Sequence, residues 1–190
     1  MLAFVGVSQA ASVVISQPIF TGLGDYAPTG FGQSFTSNGA YQIVALNLYM
    51  SSSSGGSDIT VTFHTFDSIS SVLGATILGS ATLRETSLSS TAAWKSIAFT
   101  TPVVVQSGST YAFKIVAKDP GGSTGWNNYG ASSTDVYGGG NRLNISSNGA
   151  VSKATTDLAF EIVAVPEPCI SILFVTSLVV ASTRRTRRPS

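Results

Sequence analysis

The chain of 190 residues carries one histidine, His64, and one cysteine, Cys169, and its carboxylates stand singly. A Ser-His-Asp triad needs a histidine held between a hydroxyl and a carboxylate. His64 is the sole candidate for that base. No Gly-x-Ser-x-Gly elbow accompanies it, and with 50 Ser and Thr residues a nearby hydroxyl is expected by chance. A glycosidase needs two facing carboxyl groups. Asp25, Asp58, Asp67, Asp119, Asp135 and Asp157 are scattered without a spacing that selects a pair. One Cys and one His exclude Cys-based zinc sites and His-rich metal centres. No Asp-x-Asp-x-Asp loop is present, so a calcium ion would have to draw carbonyl ligands from loops. The expectation is a protein that is not an enzyme and has no cofactor, with a structural calcium as the alternative left open.

One cluster mixes aromatic and polar groups. It runs Gly125-Trp126-Asn127-Asn128-Tyr129-Gly130 and resumes at Tyr137-Gly138-Gly139-Gly140-Asn141-Arg142. Rings that stack on the apolar face of a sugar, beside amides and a guanidinium that bond its hydroxyls, are the chemistry of carbohydrate recognition. The candidate binding residues are Trp126, Asn127, Asn128, Tyr129, Tyr137 and Arg142, read as lying on glycine-rich loops. The competing reading has Trp126 plugging one end of the domain and the rest forming an ordinary surface loop.

Period-2 patterns dominate the segments that would position these groups. In 41–50 one face is Val44, Leu46, Leu48 and Met50. In 58–65 it is Ile59, Val61 and Phe63, with His64 on the opposite face. Residues 110–117 set Tyr111, Phe113 and Ile115 against Lys114, and 157–163 align Leu158, Phe160 and Ile162. Weaker strands are expected near 13–16, 32–36, 76–84, 93–99 and 141–146. Eight or nine short strands with Gly/Ser/Pro-rich turns predict an all-β fold over residues 12–164, an antiparallel β-sandwich of jelly-roll type. The sandwich is expected to end near Val163, with Val165–Pro168 an extended link outside it.

Charge is sparse, at 10% of residues, and unevenly placed. Four of the 10 cationic residues are Arg184, Arg185, Arg187 and Arg188. The remainder has 6 Lys and Arg against 9 Asp and Glu, three net negative, which offers no footprint for a phosphate backbone and predicts no nucleic-acid partner. Before the arginines, 169–183 contains no charge. A helix over it would be about 22 Å long, short of the hydrocarbon core of about 30 Å, with snorkelling arginines and flanking apolar residues making up the difference. Under the positive-inside rule the tail stays cytoplasmic and everything upstream lies outside.

Pro166-Glu167-Pro168, then the apolar span, then the Arg cluster resembles the PEP-CTERM sorting signal, also labelled an ice-binding protein C-terminal domain. The label carries no implication of ice binding. The match covers 165–188, about an eighth of the chain. The resemblance implies a bacterial exosortase, a membrane-embedded cysteine protease, that recognises Pro166, Glu167 and Pro168 and cleaves near them, so that the helix is a transient anchor and 165–190 a sorting segment. Cys169 reads as a small apolar residue, with lipidation or intermolecular pairing as alternatives. Over 31–163, Phe31-Gly32-Gln33-Ser34-Phe35 and Ser107-Gly108-Ser109-Thr110-Tyr111 loosely resemble extracellular choice-of-anchor β-sandwich modules, which transfer no functional residues.

At the other end, 1–10 is apolar and finishes in Ser8-Gln9-Ala10, a small-x-small pattern that reads as the remnant of a signal peptide, or alternatively as a first strand. The expectation is an exported, non-catalytic surface or matrix protein. It would pass the Sec translocon, pause at the inner membrane and reach the cell surface or the medium. The second reading is a module that binds the cell's exopolysaccharide. A hydrolase built on His64 comes third.

Overall fold

The computed structural model describes residues 9–25, 30–52, 58–117, 127–146 and 148–167, without the side chains of Asp25, Glu85 and Asn127. The described chain is all-β. Its strands are β1 (Ser12–Gln17), β2 (Gly22–Asp25), β3 (Phe31–Thr36), β4 (Tyr41–Ser52), β5 (Ile59–Asp67), β6 (Val72–Leu73), β7 (Gly79–Leu83), β8 (Ala93–Val105), β9 (Thr110–Ala117), β10 (Asn127–Ser132), β11 (Arg142–Ile145), β12 (Val151–Lys153), β13 (Asp157–Leu158) and β14 (Phe160–Pro166). One 3-10 turn, Glu85–Ser87, is the sole helical element among the described residues. The fourteen strands exceed the eight or nine expected, because short pieces such as β2, β6 and β12 have too few residues to display an alternation.

Every strand pair is antiparallel. The first sheet runs β1-β14-β4-β8, with β10 pairing the end of β4 and carrying β2 and β13. The second runs β12-β11-β3-β9-β5, and β7 and β6 both pair β5. The alternating apolar rows of both sheets face each other, as the period-2 patterns require. Edge-to-face ring pairs join the layers: Phe113–Phe160 at 5.4 Å, Phe63–Phe99 at 5.2 Å and Phe31–Tyr129 at 4.6 Å between centroids. Phe35, Leu46, Phe63, Phe113 and Phe160 are fully buried in this core. A smaller cluster of Phe66, Ala112, Leu143 and Ile145, with Leu73 and Val151 against it, covers part of the second sheet.

Two local expectations are corrected. A bulge in β4 between Ile43 and Ala45 shifts the register against β8, so Ile43, not Val44, takes the inward place while Leu46, Leu48 and Met50 keep theirs. The sandwich also runs on past Val163. Val165 pairs with Gln42, Pro166 pairs with Tyr41, and the Glu167 N–H donates to the Ala40 carbonyl at 3.2 Å. Position 167 is thus a hydrogen-bonded pair with 40, which turns the backbone nitrogen of Pro166 away from β4. On that side β1 has already ended, since its first residue, Ser12, pairs with Ala164. A proline, which has no N–H to give, therefore closes the strand without leaving a ladder bond unmade.

Candidate functional site

His64 is buried on the outer face of the second sheet, opposite Ile59, Val61 and Phe63. Its Nδ1 lies 2.9 Å from the Gly74 carbonyl and its Nε2 3.0 Å from the Thr62 hydroxyl. A carbonyl only accepts, so Nδ1 carries the proton and Nε2 receives the Thr62 hydroxyl in the neutral ring. Both ring nitrogens are thereby occupied, Nδ1 tying β5 to the segment after β6 and Nε2 bonding within β5.

The most intricately bonded polar group is Asp157, wholly buried at the start of β13. Its Oδ1 accepts from Gln33 Nε2 at 2.7 Å, and its Oδ2 accepts from the backbone N–H groups of Val136 and Tyr137, each at 2.8 Å. Gln33 closes the loop by accepting from the Leu158 N–H at 3.1 Å. The carboxylate thus pins the 135–137 segment and links β3 to β13 across the two sheets. Its charge pushes the neighbouring Asp135 carboxyl above 3.8, aided by burial. The Tyr137 hydroxyl is pushed up to about 12, by burial first and by Asp157 second. Among the described residues no group of three or more His, Cys, Asp or Glu side chains is placed to hold a metal.

Among the described residues, those proposed from sequence to bind carbohydrate do not form one surface. Asn127–Tyr129 belong to strand β10, not to a loop, because Asn128 pairs with both Ser51 of β4 and Asp25 of β2. Strand alternation turns Tyr129 inward opposite Met50, and its ring is buried against Phe31, so it is not available to stack on a sugar. Tyr137 is half-buried and meets Phe160 edge-on at 5.3 Å. Arg142 lies on β11 of the other sheet and donates to Asn144 Oδ1 at 3.2 Å. Asn128 is half-buried. Trp126 and the side chain of Asn127 lie outside the described residues.

At the C-terminal end, Pro166 is exposed and Glu167 is half-buried as the described chain ends. Pro168, the apolar span over 169–183 and Arg184, Arg185, Arg187 and Arg188 lie outside the described residues, as do 1–8.

Sequence reasoning missed a second aromatic group. Phe20 stacks on Tyr49 with centroids 4.2 Å apart and planes at 24°, and Tyr49 meets Trp94 edge-on at 5.6 Å. Tyr49 and Trp94 are register partners on β4 and β8. The available signal was an aromatic on the polar side of each alternation: Tyr49 opposite Leu48 and Met50, Trp94 opposite Ile97 and Phe99.

No protein-family model matches the chain, and none of the curated proteins matches it.

Proposed function

We propose that this is an exported, non-catalytic surface or matrix protein whose C-terminal segment is a sorting signal read by an exosortase. The observation that carries the reading is the order of three features: Pro166-Glu167-Pro168, an uncharged span over 169–183, and four arginines within 184–188. An apolar run stopped by that many cations is suited to a bilayer with its basic end held in the cytoplasm. The position of the motif supports the assignment. Strand β14 ends at Pro166, so the motif begins at the last residue of the last described strand.

The body is read as a jelly roll serving as the exported cargo. Its eight principal strands, ordered β1-β14-β4-β8 against β3-β9-β5-β7, follow the wrapping of two Greek keys. In this reading the chain leaves through the Sec translocon, is held at the inner membrane by the apolar span, and is released to the surface when the protease cuts near the motif. No cofactor enters the scheme, and His64 acts as a structural tie.

Mass spectrometry of the mature protein from its native cells tests the reading. The expected C-terminus lies near Pro166-Glu167-Pro168, with the Arg-rich tail missing. A mature chain that retains Arg184 to Arg188 would overturn it.

A further inference from the structure

We propose that Phe20, Tyr49 and Trp94 form a binding platform for a neutral pyranose polysaccharide on the outer face of the first sheet. The proposal stands whether or not the C-terminal segment is processed.

The rings are outward by construction. Leu46, Leu48 and Met50 of β4 and Ile97 and Phe99 of β8 fill the core, so the intervening Tyr49 and Trp94 face away from it. Phe20 lies over Tyr49, and both Phe20 and Trp94 stay 38% exposed.

The cluster is held in place before any ligand arrives. The side chain of Gln17 grips the backbone next to Phe20: its Nε2 donates to the carbonyls of Ile19 at 2.7 Å and Leu158 at 3.1 Å, and its Oε1 accepts from the Ile19 N–H at 2.6 Å. On the other side of Phe20, the Thr21 N–H donates to the Ala131 carbonyl at 3.0 Å. Beneath the rings is Gly130, where an added Cβ would lie 3.0 Å from Tyr49 Cδ1 and 3.3 Å from Ala159 Cβ. The missing side chain is what lets Tyr49 settle there. Rings ordered in advance save the cost of ordering them on binding.

Polar groups stand one pleat away. Asn47, two residues before Tyr49 and so on the same face, is in register with Ser96 on one side and Glu161 on the other. Asn47 Nδ2 donates to Glu161 Oε2 at 2.9 Å, which fixes the amide. An aromatic row beside a row of hydroxyl, amide and carboxylate matches the two surfaces of a sugar ring, its C–H face and its hydroxyl edge.

Area and charge select the occupant. A whole aromatic side chain offers roughly 200 Å², so two rings at this exposure present about 80 Å² each. Leu23, 46% exposed and in register with Gly130, extends this apolar strip, which still falls well short of the ~800 Å² per partner of a stable protein interface and so argues against a second copy of the chain or a protein partner. Lys95 is the one cation in the described strands of this sheet, and it pairs with inward-facing Leu48. With Glu161 the nearest charge on the outward row, the face suits an uncharged chain and not a polyanion or an anionic membrane.

Affinity electrophoresis of the full chain through hydroxyethylcellulose, laminarin, galactomannan and alginate tests the proposal. Retardation is expected in at least one of the three neutral polymers and not in alginate. Trp94→Ala and Phe20→Ala should each weaken that binding at least tenfold, with melting temperatures close to the parent because both rings are exposed. Ser96→Arg, a surface change that leaves the rings intact, should also weaken it by crowding the polar row. The proposal is overturned if no neutral polymer retards the chain or if all three variants bind as the parent does. Sedimentation showing a dimer that Trp94→Ala dissolves would equally overturn it, by assigning the face to self-association.

Discussion

Gln33 Nε2 donates to Asp157 Oδ1 at 2.7 Å, and through this bond the two sheets share a wholly buried polar pair. Gln33 comes from β3 of the second sheet and Asp157 from β13 of the first. Replacing Gln33 by Leu keeps the volume roughly constant but strands one carboxylate oxygen and the Leu158 N–H. A buried donor or acceptor left unmade costs about 1–3 kcal/mol, more when charged. Denaturant unfolding of Gln33→Leu should therefore show a loss of about 3 kcal/mol, and an unchanged midpoint would show that the bond contributes nothing.

The same carboxylate makes Asp135 a source of pH dependence. Asp157 raises the Asp135 pKa above 3.8, so between that value and the raised one the folded state holds a proton that the unfolded chain has shed. Stability contributed by this group is present at low pH and is lost as pH rises through the window. Asp135→Asn removes the repulsion. It should melt above the parent at pH 7, and the gap should close well below pH 3.8, where both forms are uncharged. Thermal melts across pH check the sign, and a variant that melts lower at neutral pH would contradict it.

Glycines in the strands separate by what surrounds them. A Cβ at Gly32 would lie 2.0 Å from the Phe113 carbonyl oxygen, part of the ladder joining β3 to β9. Backbone there cannot give way without breaking that ladder, so Gly32→Ala should cost about 3 kcal/mol or more. At Gly22 nothing lies within 4 Å, and Gly22→Ala should be neutral or stabilising by about 0.5 kcal/mol through the unfolded chain. Equal effects of the two substitutions in denaturant would refute the packing argument.

His64→Ala removes both ties of the ring, to Gly74 and to Thr62. Chemical denaturation should register about 1–3 kcal/mol of destabilisation. Any ester or glycoside hydrolysis by the purified chain should be the same before and after the substitution, and an activity abolished by it would restore the hydrolase reading.

For the sorting segment the cut made in a truncation matters. Removing 168–190 spares β14, whereas removing 165–190 also strips the pairs Val165–Gln42 and Pro166–Tyr41. The shorter deletion should leave melting unchanged and divert the body from the cell surface to the periplasm. Changing Arg184, Arg185, Arg187 and Arg188 to Gln should abolish membrane retention before cleavage, because an arginine at the bilayer centre costs at least ~2.5–3.5 kcal/mol. Fractionation of cells expressing each form reads both, and surface delivery at the parental level by the deletion would defeat the sorting proposal.

How far the sequence alone reached depends on whether the information was local. Alternation is local: Ile59, Val61 and Phe63, or Tyr111, Phe113 and Ile115, lie two apart and must share a face once the chain is extended, so these strands and most of the core were legible. Partner choice is not local. Asn127–Ser132 has the Asn and Gly content of a turn, and it is a strand because β2, β4 and β13 supply its hydrogen bonds. That pairing buries Tyr129, which sequence placed among candidate ligands. Phe20, Tyr49 and Trp94 are scattered along the chain, and no pattern of spacing links them. They meet because β4 lies in register with β8, because Gln17 and Thr21 hold the turn that carries Phe20, and because Gly130 leaves the space beneath Tyr49. The composition of the tail, by contrast, is a property of a contiguous segment and is read directly from the chain. Where the last described strand ends relative to the motif was a tertiary matter: β1 begins only at Ser12, opposite Ala164, which leaves Pro166 free to close β14.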